Sequence, residues 1–139
     1  GKAAQARERG IEWSAEIDPD APRSVLSPVD AVSVVGNLID NAMDAAAAAE
    51  PPRWVRVVFG KTPSSPAALR LEVSDSGTGV PEALRERIYE HGFTTKPGGA
   101  EGRGVGLALV RSIVASAGGH VELRDDPTVF VVTLPARAT

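Results

Sequence analysis

Residues 27–52 read SPVDAVSVVGNLIDNAMDAAAAAEPP, and this stretch decides the architecture. Ser27 or Asp30 can cap a long helix that runs to about Ala49, where Pro51 and Pro52 stop it. At 100° per residue, Val32, Val35, Ile39, Ala42, Ala46 and Ala49 fall on one side. Asn37, Asp40, Asn41 and Asp44 gather on the other. The apolar stripe is the core contact. The polar face is unusual, because no Lys or Arg lies between Asp30 and Arg53 to balance it. Solvated helix faces ordinarily mix signs and favour Glu and Lys over the poorer helix formers Asn and Asp. Two readings stay open: an ordinary exposed face, or a site for a hard cation that takes amide and carboxylate oxygens.

Strand signals flank this helix. Ile11, Trp13, Ala15 and Ile17 alternate with Glu12, Ser14 and Glu16, which predicts a half-buried strand. A turn with Pro19, Pro22 and Pro28 joins it to the helix. Further strands are expected over Arg53–Phe59 and Ala68–Asp75, linked by a turn of small residues over Gly60–Pro66. Pro81 opens a short helix to about Tyr89. Glu90–Gly102 reads as a mobile glycine-rich loop, and Val105–Ala117 as a helix stopped by Gly118 and Gly119. Strands His120–Arg124 and Thr128–Leu134 close a hairpin around Asp125, Asp126 and Pro127. The whole is an α/β fold, a two-layer sandwich of about three helices on a mixed, mostly antiparallel sheet. The opening GKAAQARERG is polar and helix-prone without a start signal, and reads as the tail of an upstream linker or dimerisation helix; residues 11–139 form the domain.

Composition narrows the function. The chain has 139 residues, enough for one domain, with 15 basic and 18 acidic side chains and a net charge of −3. That balance argues against a nucleic-acid binder or a protein that docks on anionic membranes. The absence of cysteine excludes disulfides, thiol catalysis and thiolate metal sites. Gly60-Lys61-Thr62 imitates the end of a phosphate-binding P-loop, but Val55 stands where the first glycine is required and no helix follows. His91 and His120 lack metal-ligand spacing or an acid–base partner.

Two further segments carry chemistry. Leu69, Leu71 and Val73 alternate with Arg70, Glu72 and Ser74, and the same parity turns Asp75 towards the core. A buried carboxylate needs donors. Asp75 either caps its own Asp-Ser-Gly turn or accepts from a ligand amino group in a pocket walled by Gly77 and Gly79. Gly102, Gly104 and Gly106 alternate where the last long helix begins, so backbone N–H groups and the positive end of a helix dipole can meet an anion there. Lys96, Arg103 and Arg111 against Glu101 give that region a local positive excess suited to phosphate.

Taken together, NLIDNAMDA from Asn37, DSGTG from Asp75, HGFTTK from His91 and GRGVGLALV from Gly102 resemble the four boxes of the catalytic ATP-binding domain of sensor histidine kinases. That domain has the Bergerat fold of the GHKL superfamily, shared with DNA gyrase, MutL-type repair ATPases and large heat-shock chaperones. The resemblance runs from Ile11 to Pro135, and GNLIDNAMDAA with HGFTTKP is most similar to the citrate and C4-dicarboxylate sensors. It implies ATP and Mg2+ as ligands. Asn41 would coordinate the metal, with Asp44 beside it, and Asp75 would accept from the adenine amino group. Gly77 and Gly79 would shape the adenine pocket. Thr94, Thr95 and Lys96 would belong to a lid over the phosphates, which Gly102, Arg103, Gly104, Val105, Gly106 and Leu107 would cradle. The basic residue that the family places just after the metal-binding Asn is absent here, replaced by Asp44 and Ala45.

In the ATPase branches of the superfamily, a Glu one turn before the metal-binding Asn activates water. Here that position is Asn37, an amide without basicity, and hydrolysis is expected to be poor. With Asn37, Asn41 and Lys96 as the catalytic set, the resemblance implies transfer of the γ-phosphoryl group to a histidine on a separate dimerisation domain. A response regulator would then receive it. The implied setting is the cytoplasmic part of a homodimeric membrane sensor, with no nucleic-acid or direct membrane contact from these residues. Two rivals share the fold: an anti-sigma-factor serine kinase, which typically carries an acidic residue at position 37, and a nucleotide-sensing module without transfer activity.

Overall fold

The computed structural model describes residues 1–90 and 103–138, with side chains in the second part from Gly106 onward. Helix α1 (Lys2–Glu8) leads into strand β1 (Glu12–Ile17), helix α2 (Pro28–Ala48), and strands β2 (Trp54–Lys61) and β3 (Leu69–Asp75). Two 3-10 turns, helix α3 (Arg103–Ser116), and strands β4 (His120–Arg124) and β5 (Thr128–Leu134) complete the order. The sheet runs β1-β2-β3-β5-β4; β1 and β2 are parallel and every other pair is antiparallel. This is the two-layer, mostly antiparallel architecture expected from the sequence.

The core fills the space between one sheet face and the helices. Val55, Val57, Leu71, Val73, Phe130, Val132 and Leu134 meet Val34, Leu38, Ala42, Ala46, Val110 and Val114 there. With few aromatics, it is built mainly from aliphatic side chains that interdigitate at close range. The opposite face carries Arg56–Glu16, Arg70–Glu72 and Arg124–Glu122 pairs. Their exposure makes them modest contributors.

Ser27 is the cap of α2: its Oγ accepts from the Asp30 N–H at 3.2 Å. At the other end the Arg53 Nε donates to the Ala49 carbonyl at 2.9 Å, satisfying one of the unpaired terminal oxygens.

Several expectations need correction. Val32 remains 73% exposed and Val29 76%, since burial along α2 starts only at Val34. Ala49 lies at the C-cap rather than on the buried stripe, which instead adds Leu38 and Met43. Along β1 the alternation fails: Ile11 is buried and Trp13 half-buried, but Ala15 is exposed and Ile17 is 72% exposed. β1 is an edge strand, while α2 lies over β2 and β3 and α3 over β4 and β5, so the end of β1 has no helix above it. Gly60 and Lys61 continue β2, paired with Arg70 and Leu69, instead of opening the turn. The short helix after Pro81 is two 3-10 turns, Glu82–Leu84 and Arg87–Tyr89, with Pro81 extended at the cap. α3 starts two residues early, at Arg103.

Gly118, at φ 84°, and Gly119 end α3 as expected. A Cβ on Gly119 would run into the Thr133 carbonyl group. That group is backbone and has little room to yield. Gly119→Ala is expected to destabilise the fold by about 2 kcal/mol, a fall in Tm of roughly 5–10 °C by calorimetry. An unchanged Tm would contradict this packing.

Candidate functional site

The C-terminal end of β3, the turn after it and one line of α2 meet at one end of the sheet. Asp75 is 1% exposed, facing inward as its parity predicts. Its Oδ1 accepts the Gly77 N–H at 2.7 Å; among the described residues no donor meets Oδ2. Asp75 therefore caps its own turn with one oxygen, and the other has no donor among the described residues. Burial raises its pKa from 3.8 to about 6, against the lowering effect of the Gly77 hydrogen bond.

The turn is fixed from two sides. Ser76 donates its N–H to the Trp54 carbonyl at 3.1 Å and accepts the Trp54 N–H on its Oγ at 2.8 Å. Gly77 lies against α2: a Cβ there would be 3.0 Å from both the Ala45 Cβ and the Ala45 carbonyl oxygen. Only glycine permits this approach. Gly79, at φ 88°, faces the Thr128 Oγ1.

Asn37, Asn41 and Ala45 follow one another at four-residue intervals on α2, a single line along its surface. Ala45 meets the turn at Gly77, and Asn37 meets α3 at Gly106, where a Cβ would be 2.7 Å from the Asn37 Oδ1. The Asn37 amide is held by donation from Nδ2 to the Ser33 carbonyl at 2.7 Å. Half-buried Asn41, between them, has no partner among the described residues. The two asparagines thus differ among the described residues: the Asn37 amide is engaged and the Asn41 amide has no partner.

The acidic flank of α2 is balanced after all, from outside the helix. Lys2 Nζ lies 2.5 Å from Asp40 Oδ1, and Arg9 Nη1 lies 3.0 Å from Asp44 Oδ1. Arg111, counted with the phosphate-suited cations, stands 4.6 Å over the Tyr89 ring and pairs with Glu86 at 2.9 Å. Arg103, Gly104 and Val105 form the first backbone turn of α3, with Gly106 and half-buried Leu107 following. His91, Thr94, Thr95, Lys96 and Gly102 lie outside the described residues, as do the Arg103 and Val105 side chains.

Sequence reasoning missed Thr128. It is 6% exposed and pairs directly with Asp75 across β3 and β5. The signal was there: Thr128 shares the inward parity of Phe130, Val132 and Leu134. A separate concavity of about 480 Å3, lined by Glu16, Asp18, Lys61, Arg70 and Glu72 among others, lies at the other end of β2 and β3. It mixes charges of both signs and is remote from Asp75.

A carboxylate oxygen in a glycine-walled recess can accept from an exocyclic amine. A free amide one helical step away can serve a hard cation, and Mg2+ typically takes one or two protein oxygens beside substrate phosphates. Among the described residues no group of three or more His, Asp or Glu is arranged to hold a metal.

Comparison with known proteins identifies the family and the fold. The family described as histidine kinase-, DNA gyrase B-, and HSP90-like ATPase matches residues 27–138. A protein named probable C4-dicarboxylate sensor kinase, from Halalkalibacterium halodurans, is 34% identical over 144 residues, covering 99% of this chain and 26% of its own length. Sensor histidine kinase DpiB of Escherichia coli is 34% identical over 142 residues, covering 97% and 25%. The chain thus spans about a quarter of these curated relatives. The catalytic domain of histidine kinase ThkA, solved without nucleotide, superposes with a TM-score of 0.77 at 27% identity, over 96% of this chain and 84% of that one.

Proposed function

Because the chain belongs to the family of histidine kinase-, DNA gyrase B- and HSP90-like ATPases, and is a sensor-histidine-kinase catalytic domain within it, we propose that its site binds Mg-ATP and presents the γ-phosphate to a histidine on a separate helical domain. The observation that carries this reading is Asp75, buried at a glycine turn with one oxygen unclaimed among the described residues, where that turn packs on Ala45, one helical turn along α2 from Asn41. The Asp75 Oδ2 accepts from the adenine amino group, and Thr128 closes the pocket across the sheet. Asn41 would hold Mg2+, which would neutralise charge on the phosphates. The first turn of α3 donates backbone N–H groups to them. The unprotonated imidazole nitrogen of the acceptor then attacks the γ-phosphorus through its lone pair, and the ring's other nitrogen gives up its proton to solvent. The bond to the bridging oxygen breaks, and ADP leaves. Such transfer has a loose transition state, so positioning and charge neutralisation do most of the work. Asn37 has no basicity with which to activate water.

Among the described residues no helix is long and apolar enough to cross a membrane. The relatives are sensor proteins, and in our reading this domain works on the cytoplasmic side of such a sensor, with a response regulator downstream.

The test is incubation with labelled Mg-ATP, with and without an added phosphoacceptor domain. Label should reach the acceptor histidine and stay off this chain. Label on a serine of an added substrate would favour the serine-kinase alternative, and binding without transfer would favour a sensing module.

A further inference from the structure

We propose that Arg9 supplies a positive charge that this site uses for a nucleotide's phosphates, with Asp44 holding it in place. The inference rests on reading the site as a nucleotide pocket and adds a residue to it from a segment outside the matched region, which begins at residue 27.

The charge problem comes first. Asp40, Asp44 and Asp75 all stand at or beside the site, and a nucleoside diphosphate adds about three negative charges of its own. No cation lies between Asp30 and Arg53. Arg53 is turned to the Ala49 carbonyl and Arg111 is committed to Tyr89 and Glu86. The cations that reach this flank among the described side chains come from α1.

The position of Arg9 is built. Ala6 is fully buried in the core, Ile11 is 3% exposed, and the Ile11 N–H donates to the Ala6 carbonyl at 2.9 Å. Between them Gly10, at φ 71°, makes a left-handed turn that other residues adopt with strain. The backbone of Arg9 is therefore pinned on both sides. Its guanidinium meets Asp44, whose side chain is only 9% exposed, at 3.0 Å, while Arg9 itself keeps 39% exposure. Asp44 follows Asn41 by three residues, on the adjoining edge of the same helix face. One guanidinium nitrogen on Asp44 leaves further N–H donors of a rigid fork for a second anion. Lys2 with Asp40 is the more exposed pair, at 33% and 45%, and is the weaker candidate.

The experiment compares ADP and adenosine binding by calorimetry in the presence of Mg2+. Arg9→Ala should weaken ADP about tenfold, leave adenosine unchanged, and flatten the salt dependence of ADP binding. Arg9→Gln keeps a polar, uncharged amide donor on a shorter stem, a milder change than Ala that guards against a loosened α1; the same loss is expected. Arg9→Ala combined with Asp44→Asn should stay weak. If that double variant recovers wild-type ADP affinity, Arg9 merely masks Asp44, and the proposal is wrong. Equal losses for ADP and adenosine would mark a structural role and overturn it as well. An Asp75→Asn protein that loses ADP beside an Arg9→Ala protein that does not would overturn the Arg9 assignment alone. Absence of both ADP and adenosine binding in the wild type would overturn the pocket reading and this proposal together.

Discussion

Asp75→Asn is expected to weaken ADP binding about a hundredfold while making the ligand-free fold more stable at neutral pH. The binding loss follows from geometry. Oδ1 already accepts the Gly77 N–H at 2.7 Å, so an asparagine must place its carbonyl oxygen there. Its NH2 then takes the place of Oδ2, where it faces the adenine amino group: donor meets donor, and the ligand's N–H is left without an acceptor. Unmet donors in a buried site cost about 1–3 kcal/mol, and a hundredfold is about 2.7 kcal/mol. Calorimetry giving the variant wild-type ADP affinity would remove Asp75 from the adenine site.

The stability gain has the opposite sign because of where the carboxylate sits. Its pKa is 3.8 when solvated and about 6 in the fold, raised by burial. Below pH 4 both states carry the proton and the group is neutral in its effect. Between pH 4 and 6 the unfolded chain ionises first, so stability falls as pH rises; above pH 6 the full cost is present. A rise from 3.8 to about 6 makes that cost roughly 3 kcal/mol. Asp75→Asn removes the charge but keeps the bond to Gly77. The variant should therefore unfold at higher denaturant than the wild type at pH 7.5, with the difference shrinking towards pH 4. Wild-type ADP affinity should also weaken as pH drops below 6, where Asp75 takes up a proton, and the variant should lose that dependence. A gap in stability that does not change between pH 4 and 7.5 would rule out this account. A charge kept at some expense to the fold is what a binding site, rather than a packing contact, requires.

Much of this was legible because the informative patterns are local. Parity along β3 placed Asp75 inward, and the proline and glycine stops placed the ends of α2 and α3 to within a residue; that Gly77 packs on Ala45 and Gly106 on Asn37 was not read from the sequence. What escaped was non-local. The expected stripe on α2 included Val32, but a wheel gives only angle; how far along the helix the core extends depends on where the sheet ends. Ile17 failed likewise, because alternation cannot say whether anything covers an edge strand. The acid face of α2 looked unbalanced within its own sequence neighbourhood, and the balancing charges come from residues 2 and 9, more than thirty positions away. Thr128 became a site residue through its register with Asp75, a pairing between strands 53 positions apart.

Asn41→Ala should abolish phosphoryl transfer, by a factor of at least about a hundred, while leaving metal-free ADP binding through Asp75 largely intact. Asn41 has no partner among the described residues, so truncation removes no hydrogen bond within them, and the effect should fall on the metal-dependent part of binding. Asn37 differs, although it lies four residues away on the same line of α2. Its amide is tied to the Ser33 carbonyl, and its oxygen rests against Gly106. Asn37→Ala should therefore cost transfer more than ADP affinity, by freeing the approach of α3 and removing a polar group near the acceptor. Asn37→Glu would introduce the basicity that the site lacks, but the extra methylene must fit where a Cβ on Gly106 would already stand 2.7 Å from the amide. Any rise in hydrolysis should then be small. The decisive comparison is phosphate release by the wild-type chain alone against transfer to an added acceptor domain. Release near the median enzyme rate of about 10 per second without acceptor would mean that an amide at position 37 does not hold water back, and the distinction between transfer and hydrolysis would have to lie elsewhere in the site.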